Sequence, residues 1–199
     1  MPSFTYQALT ELEAVNQMLS TIGESPISTL EVTGDLNVSV ARQILYDTSR
    51  EIQTKGFYFN TEVDYPLART VDGYITVPTN TLALEMSRYY RYYDVTQRGT
   101  RLYDRRNHTF VFKEDLKADL VLFLSWDELP QPAKQYIAIV AARRFQRRML
   151  GDDTSEKFTE MEEMMAKAQL GDSDANARDY NMGDAPHMAV VLWRDNVTY

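Results

Sequence analysis

The chain has 199 residues, 44% hydrophobic and 25% charged, with a formal net charge of -8, a balance that fits one globular body, with or without an insertion, and excludes general disorder and solenoid repeats. It contains no cysteine, which excludes disulfides, thiolate zinc sites and cysteine nucleophiles. No window approaches the roughly 18 apolar residues of a membrane span, MPSFTYQALTE lacks a basic region followed by an apolar run, and the acidic balance argues against gripping nucleic acid over the general surface.

In chain order, Thr10 and Glu13 have capping-box spacing, so a helix is predicted from Thr10, with Leu12, Val15, Leu19 and Ile22 on one face. Gly23 as a left-handed cap and Pro26 as a block end it. Asp35 predicts the N-cap of a second helix to about Lys55, with Val38, Ala41, Leu45 and Ile52 on one stripe and Gly56 as its stop. From Phe57 an alternation rich in Tyr, Phe, Val and Thr predicts a β-region, with turns at Thr70 to Gly73, near Gly99, near Arg105 to His108 and near Glu114 to Lys117. Within it NTLALEMS reads as a short helical turn or a loop, and RYYRYYD as a strand with Arg88, Tyr90 and Tyr92 on one face and Tyr89, Arg91 and Tyr93 on the other. Helical character returns in LPQPAKQYIAIVAARRFQRRMLG, with Pro132 in the first turn and Ile137, Val140, Ala141 and Phe145 on its apolar stripe. Asp153 and Glu156 resemble the cap of a fourth helix, whose buried face is predicted to be Phe158, Met161, Met164, Met165 and Ala168.

The order of helix pair, sheet and helix pair gives an α+β fold, read as an antiparallel four-helix bundle with an inserted antiparallel β-region and a C-terminal arm. The expected divisions are 1–56 for the first helix hairpin, 57–126 for the β-rich insertion, 127–170 for the second hairpin and 171–199 for a polar tether and docking arm. Within the arm HMAVVLWRDN carries Trp193.

Chemistry is sparse. His108 and His187 lack a second histidine at ligand spacing, and in DSDANARD an alanine, Ala177, takes the place of the obligatory EF-hand glycine. No phosphate-cradling glycine loop or nucleophile elbow occurs, and no catalytic, cofactor-binding or metal residue is assigned. Asp127 and Glu128 beside Trp126 invite a glycosidase reading, but adjacent acids rarely flank a bond from opposed sides, and a strand-to-helix cap fits them better. The Arg- and Tyr-rich stretch with Arg88, Tyr90, Arg91, Tyr92 and Tyr93 fits a protein interface, or a single-strand stacking surface as the alternative. Arg143, Arg144, Arg147 and Arg148 on the third helix oppose Glu156, Glu160 and Glu163 after it. The two sets either pair within the hairpin or join one subunit's basic edge to the next subunit's acidic edge.

AVNQMLSTIGESPISTLE, ARQIL, REIQTKGFYFNTE, LYDR, DELPQPAKQYI and YNM, in that order and spacing, together resemble the tail tubular protein A family of T7-like short-tailed bacteriophages, also called adaptors or gatekeepers. The resemblance implies a structural virion tail subunit made in the bacterial host cytoplasm and assembled as a homo-oligomeric, dodecameric ring. Such a ring joins the portal protein to the nozzle of tail tubular protein B, helps seat the tail fibre protein, and lets double-stranded DNA pass without specific binding. Neither a membrane anchor nor a cofactor is implied. On that expectation Arg88, Tyr90, Arg91, Tyr92 and Tyr93 face nozzle or fibre, and Tyr180, Met182, Val190, Leu192 and Trp193 form a portal-docking arm. The turn of Gly23 and Pro26 sets the angle between the first two helices. The alternative is a tail-associated enzyme hydrolysing host surface polysaccharide.

Overall fold

The computed structural model describes residues 8–31, 35–151 and 160–183, with the side chains of 179–183 excepted. The protein is α+β, and its contacts divide it into two compact units. One comprises the residues up to Thr48 together with those from Leu129 onward; the other is Ser49–Glu128.

In the first unit, α1 (Glu11–Thr21) opens on the predicted capping box. Thr10 Oγ1 accepts from the Glu13 amide at 3.2 Å and Glu13 accepts from the Thr10 amide at 2.8 Å, which satisfies two otherwise orphaned N–H groups. The helix closes at Gly23, whose φ is 80°. The Gly23 amide donates to Ser20 O and the Glu24 amide to Leu19 O, the paired bonds of a Schellman cap. Beyond the cap, the Asn16 side chain accepts from the Ile27 amide at 2.8 Å and donates to the Ile27 carbonyl at 3.0 Å. The turn is therefore clamped from inside α1 as well as stiffened by Pro26.

Asp35 caps α2 (Leu36–Gln53) through the amides of Asn37 and Val38. Val38, Ala41, Ile44 and Leu45 are buried. In α3 (Gln131–Leu150), almost every residue from Ala133 to Gln146 is buried, more than the single predicted stripe. Helices hydrophobic on most faces occupy a core, and α3 packs against both α1 and α4 (Glu160–Gly183).

The fourth helix differs from its prediction in two ways. Met161, Met164, Met165 and Ala168 are exposed, whereas Ala166 and Leu170 are buried; Phe158, Asp153 and Glu156 lie outside the described residues. The buried line instead runs through the half-buried Glu163, then Ala166, Leu170 and the half-buried Asp174 and Ala177, a 3.6-residue period rotated away from the methionines. Secondly, the polar stretch predicted as a tether is helical to Gly183. Good helix formers such as Ala175, Ala177 and Arg178 and the Arg178–Asp174 pair at 2.9 Å support it, and together they offset the roughly 1 kcal/mol cost of Gly171.

The second unit holds a three-stranded antiparallel sheet of order β1-β5-β2, with β1 Thr61–Leu67, β2 Thr81–Met86 and β5 Leu116–Leu122. A two-stranded ribbon joins β3 (Val95–Arg98) to β4 (Arg101–Asp104). NTLALEMS is thus neither a helical turn nor a loop: it contains β2, because pairing with β5 overrides the helix propensity of Leu, Ala and Met. YITVP makes isolated bridges, with Tyr74 opposite Val111 and Thr76 opposite Arg101, rather than a full strand. The predicted turn at Thr70 to Gly73 forms, with Gly73 at φ 83° and its site for a Cβ only 2.8 Å from Val111 Cγ1. Leu67, Ile75, Val77, Met86, Leu102, Phe112, Leu116, Ala118 and Leu120 make the core of this unit.

Two buried amides organise its helix-to-sheet junction. Gln53 Nε2 donates to Ser49 Oγ and to Leu124 O, both at 3.0 Å, while Gln53 Oε1 accepts from the Leu124 amide at 2.8 Å. Asn60 donates to Gln53 O and Leu122 O and accepts from the Phe57 amide. All side-chain polar atoms of both residues are thereby partnered, as burial demands.

Candidate assembly surfaces

The stretch predicted as a strand with two amphipathic faces is instead a turn of 3-10 helix, Arg88–Tyr90, followed by a second turn in which the Tyr93 amide donates to Tyr90 O at 2.9 Å. The alternation of Arg88, Tyr90 and Tyr92 against Tyr89, Arg91 and Tyr93 is therefore replaced by a different division. Tyr90 and Tyr93 pack on the β-unit core, whereas Arg88, Tyr89, Arg91 and Tyr92 are exposed. Tyr92 lies 4.8 Å from Tyr93 between ring centroids, and Tyr93 lies 5.9 Å from Phe112 edge-on. Rings stacked from core to surface form a rigid apolar ledge of the kind that anchors protein contacts.

Glu114 accepts from the hydroxyls of both Tyr92, at 2.9 Å, and Tyr93, at 3.2 Å. The Tyr92 phenol is pushed up to about 12 by that hydrogen bond first. Burial first and Glu114 second raise Tyr93. Both phenols stay protonated with their hydroxyls bonded to Glu114, so the rings themselves carry no charge and are held in place.

Behind it, Asp104 is buried in the turn before His108. Its Oδ1 accepts from the amides of Arg106 and Asn107, and its Oδ2 accepts from Asn107 Nδ2 at 2.7 Å. Burial would raise this carboxyl, but the hydrogen bonds from Asn107 and Arg106 outweigh it, and the group titrates below the ordinary carboxylate range. A depressed native value contributes stability that is fully present above the unfolded carboxyl pKa of about 3.9 and is lost as pH falls through the native value. Thermal melts of the wild type should therefore show a drop in Tm below about pH 4 that is smaller in Asp104→Asn. An identical acid dependence in the two proteins would rule this turn out as its source.

In the first unit the charged helices meet within the chain. Arg143, only 7% exposed, pairs with Glu163 and reaches Glu160 at 3.7 Å, which is the within-hairpin arrangement. Arg144 donates to Thr48 Oγ1 at 3.4 Å, while Arg147 and Arg148 are exposed. Glu156 lies outside the described residues. Tyr180 and Met182 fall in the backbone of α4, and Val190, Leu192, Trp193 and His187 lie outside the described residues.

Asp127 and Glu128 close the segment before α3. Glu128 accepts from the Ser125 hydroxyl at 2.6 Å and the Ser125 amide at 2.8 Å, and those bonds lower its pKa. A general acid for glycan cleavage needs the opposite shift. Among the described residues no group of His, Asp and Glu is placed to hold a metal ion. Sequence reasoning missed the Asn16 clamp and the Gln53 and Asn60 junction. Asn16 stands within the first recognised segment, but nothing in spacing alone points its side chain at Ile27.

Against this geometry, the family model described as tail tubular protein matches residues 12–180. The chain belongs to the tail tubular protein family. It is 31% identical over 145 residues to a protein named tail tubular protein A of Klebsiella phage KP34, covering 73% of this chain and 76% of that protein. This tail protein is thus a structural component of a phage virion tail, as the sequence motifs imply. The matched span runs from α1 into the last turns of α4. Among the described residues no helix is long and apolar enough to cross a membrane.

Proposed function

We propose that this tail protein is an adaptor: a subunit of a ring that joins the portal to the tail nozzle and forms part of the channel through which DNA leaves the head. The observation that carries the reading is the face of α4 on which Met161, Met164 and Met165 are 56%, 60% and 62% exposed. Three neighbouring methionines on the outside of a helix gain little in a free monomer, and polarizable thioethers are favoured where a surface meets a partner. The net charge of -8 suits a channel wall that DNA passes without sticking. In this reading the helical unit is a four-helix bundle interrupted by the β-rich unit, and the clamped turn at Gly23 fixes helix geometry that a ring would repeat. The ledge of Arg88, Tyr90, Arg91, Tyr92 and Tyr93 meets nozzle or fibre. The segment from Tyr180 to Trp193 meets the portal.

The test mixes the purified chain with its cognate portal and measures mass by light scattering, with particle images of the mixture. Rings seated on portals support the adaptor. A persistent monomer with no portal association overturns it.

A further inference from the structure

The β3-β4 ribbon poses an electrostatic question that the adaptor reading leaves open. From Val95 to Lys113 the chain has five Lys or Arg and one acidic residue, Asp104, and that carboxylate is buried in its own turn. Arg98 and Arg101 are cross-strand partners flanking Gly99 and Thr100, and like charges placed directly opposite repel. Arg98 lies 3.6 Å above the ring of Tyr103, and Arg101 lies 4.8 Å above Tyr74. Tyr103 in turn meets Phe110 edge-on at 4.8 Å, and Val111 beside them is half exposed. A guanidinium held over an aromatic ring face still has N–H donors to offer carboxylates. The ribbon is therefore a pair of pre-oriented cations on an aromatic floor.

The complementary surface occurs on the same chain. The opening of α4, EMEEMM from Glu160 to Met165, has three acids and no cation. Glu163 turns inward to Arg143, while Glu160 reaches the same guanidinium only at 3.7 Å and keeps its side chain 91% exposed, and the three methionines stand outward beside it. Carboxylates suit the arginines, and thioethers suit the rims of Tyr103, Tyr74 and Phe110. A DNA duplex is a poorer fit, because it would meet the field of a chain with net charge -8 along with the ribbon.

We propose that the first two turns of α4 in one copy dock on the Arg98 and Arg101 ribbon of a second copy, a head-to-tail contact between unlike surfaces. It rests on the ring reading and names the surfaces that would build the ring. Contacts of this kind propagate from copy to copy and close where the rotation allows.

The experiment compares wild-type chain, Arg98→Glu/Arg101→Glu, Glu160→Arg/Glu162→Arg and the variant carrying all four changes. Self-association is measured by light scattering across a salt series, with and without the portal, while circular dichroism and the urea midpoint of each free variant separate assembly from stability, because Glu160 also reaches Arg143. Glu162→Arg alone serves as the second variant that leaves that pair intact. Each two-site reversal should weaken association at least about tenfold, and the four-site variant, in which each neighbour is complementary again, should recover it. Two-site variants that assemble with wild-type affinity and salt dependence, on portals that still carry rings, would overturn the ribbon contact and leave the adaptor standing. Reversals that instead abolish retention of a DNA duplex while subunit contact persists would also overturn it. Wild-type chain that fails to associate under every condition, portal included, would overturn both readings.

Discussion

Gln53→Leu should lower the unfolding free energy of the β-rich unit by about 3 kcal/mol, because it leaves the half-buried Leu124 amide and carbonyl without their partners at roughly 1–3 kcal/mol each and removes the donor to Ser49 as well. The Gln53 side chain is 0% exposed and Leu124 is half-buried, so water replaces the lost bonds only in part. Leucine restores most of the volume, which keeps the cavity contribution small and makes the loss a measure of hydrogen bonding. Urea denaturation followed by tyrosine and tryptophan fluorescence reads it as a lower midpoint at an unchanged slope. Gln53→Glu provides the companion measurement. Its carboxylate would accept from the Leu124 amide as before but would face the Leu124 carbonyl without a proton to donate. Burial and that carbonyl would hold the new carboxyl's pKa above its unfolded value, so the protonated form, able to donate, becomes stabilising as pH falls. Loss of stability in Gln53→Leu within ~0.5 kcal/mol of zero would show that the junction contributes little to the β-rich unit.

The junction also explains where sequence reading stops. Thr10 with Glu13, Gly23, Asp35, Gly56 and Pro132 were legible because caps are local: each bonds to backbone within a few residues, and residue type alone supplies the needed atom or dihedral angle. Gln53 to Leu124 spans 71 positions, and no period or spacing encodes it. The strand β2 was illegible for a related reason. Thr-Leu-Ala-Leu-Glu-Met favours helix in isolation, and only the Cα pairing of Leu84 with Leu120 and Met86 with Ala118 makes it a strand.

The methionines of α4 show a different failure. Hydrophobicity points to the methionine face as the buried one, yet the protein buries Ala166 and Leu170 and leaves Met161, Met164 and Met165 outside. A chain that assembles has two kinds of apolar surface, and a sequence pattern does not separate the core from the contact. The Arg- and Tyr-rich stretch was legible as an interface composition, but its geometry was not, since two consecutive turns after Ser87 replace the strand alternation.

Arg143→Met is expected to destabilise the isolated subunit by about 2 kcal/mol, since it removes the covered partner of a part-buried pair and leaves the half-buried Glu163 charge uncompensated. Arg143 is 7% exposed and Glu163 is partly covered, so solvent screens the pair far less than it screens Arg148, which is exposed. Arg148→Met should consequently change the stability of the free subunit by less than ~0.5 kcal/mol. The contrast separates two roles that the charge pattern on α3 leaves merged. If Arg143 serves the fold, its substitution lowers the denaturation midpoint of the free chain, and any loss of assembly follows from that. A variant that kept wild-type stability alone yet failed to join other subunits would reassign Arg143 to the contact between copies. The within-chain pair with Glu163 would then be a resting arrangement that assembly exchanges for another. The length of the side chain argues for the first outcome: methionine matches the apolar stem of arginine, so the substitution isolates the charge, and the charge is already met by Glu163 and Glu160 of its own chain.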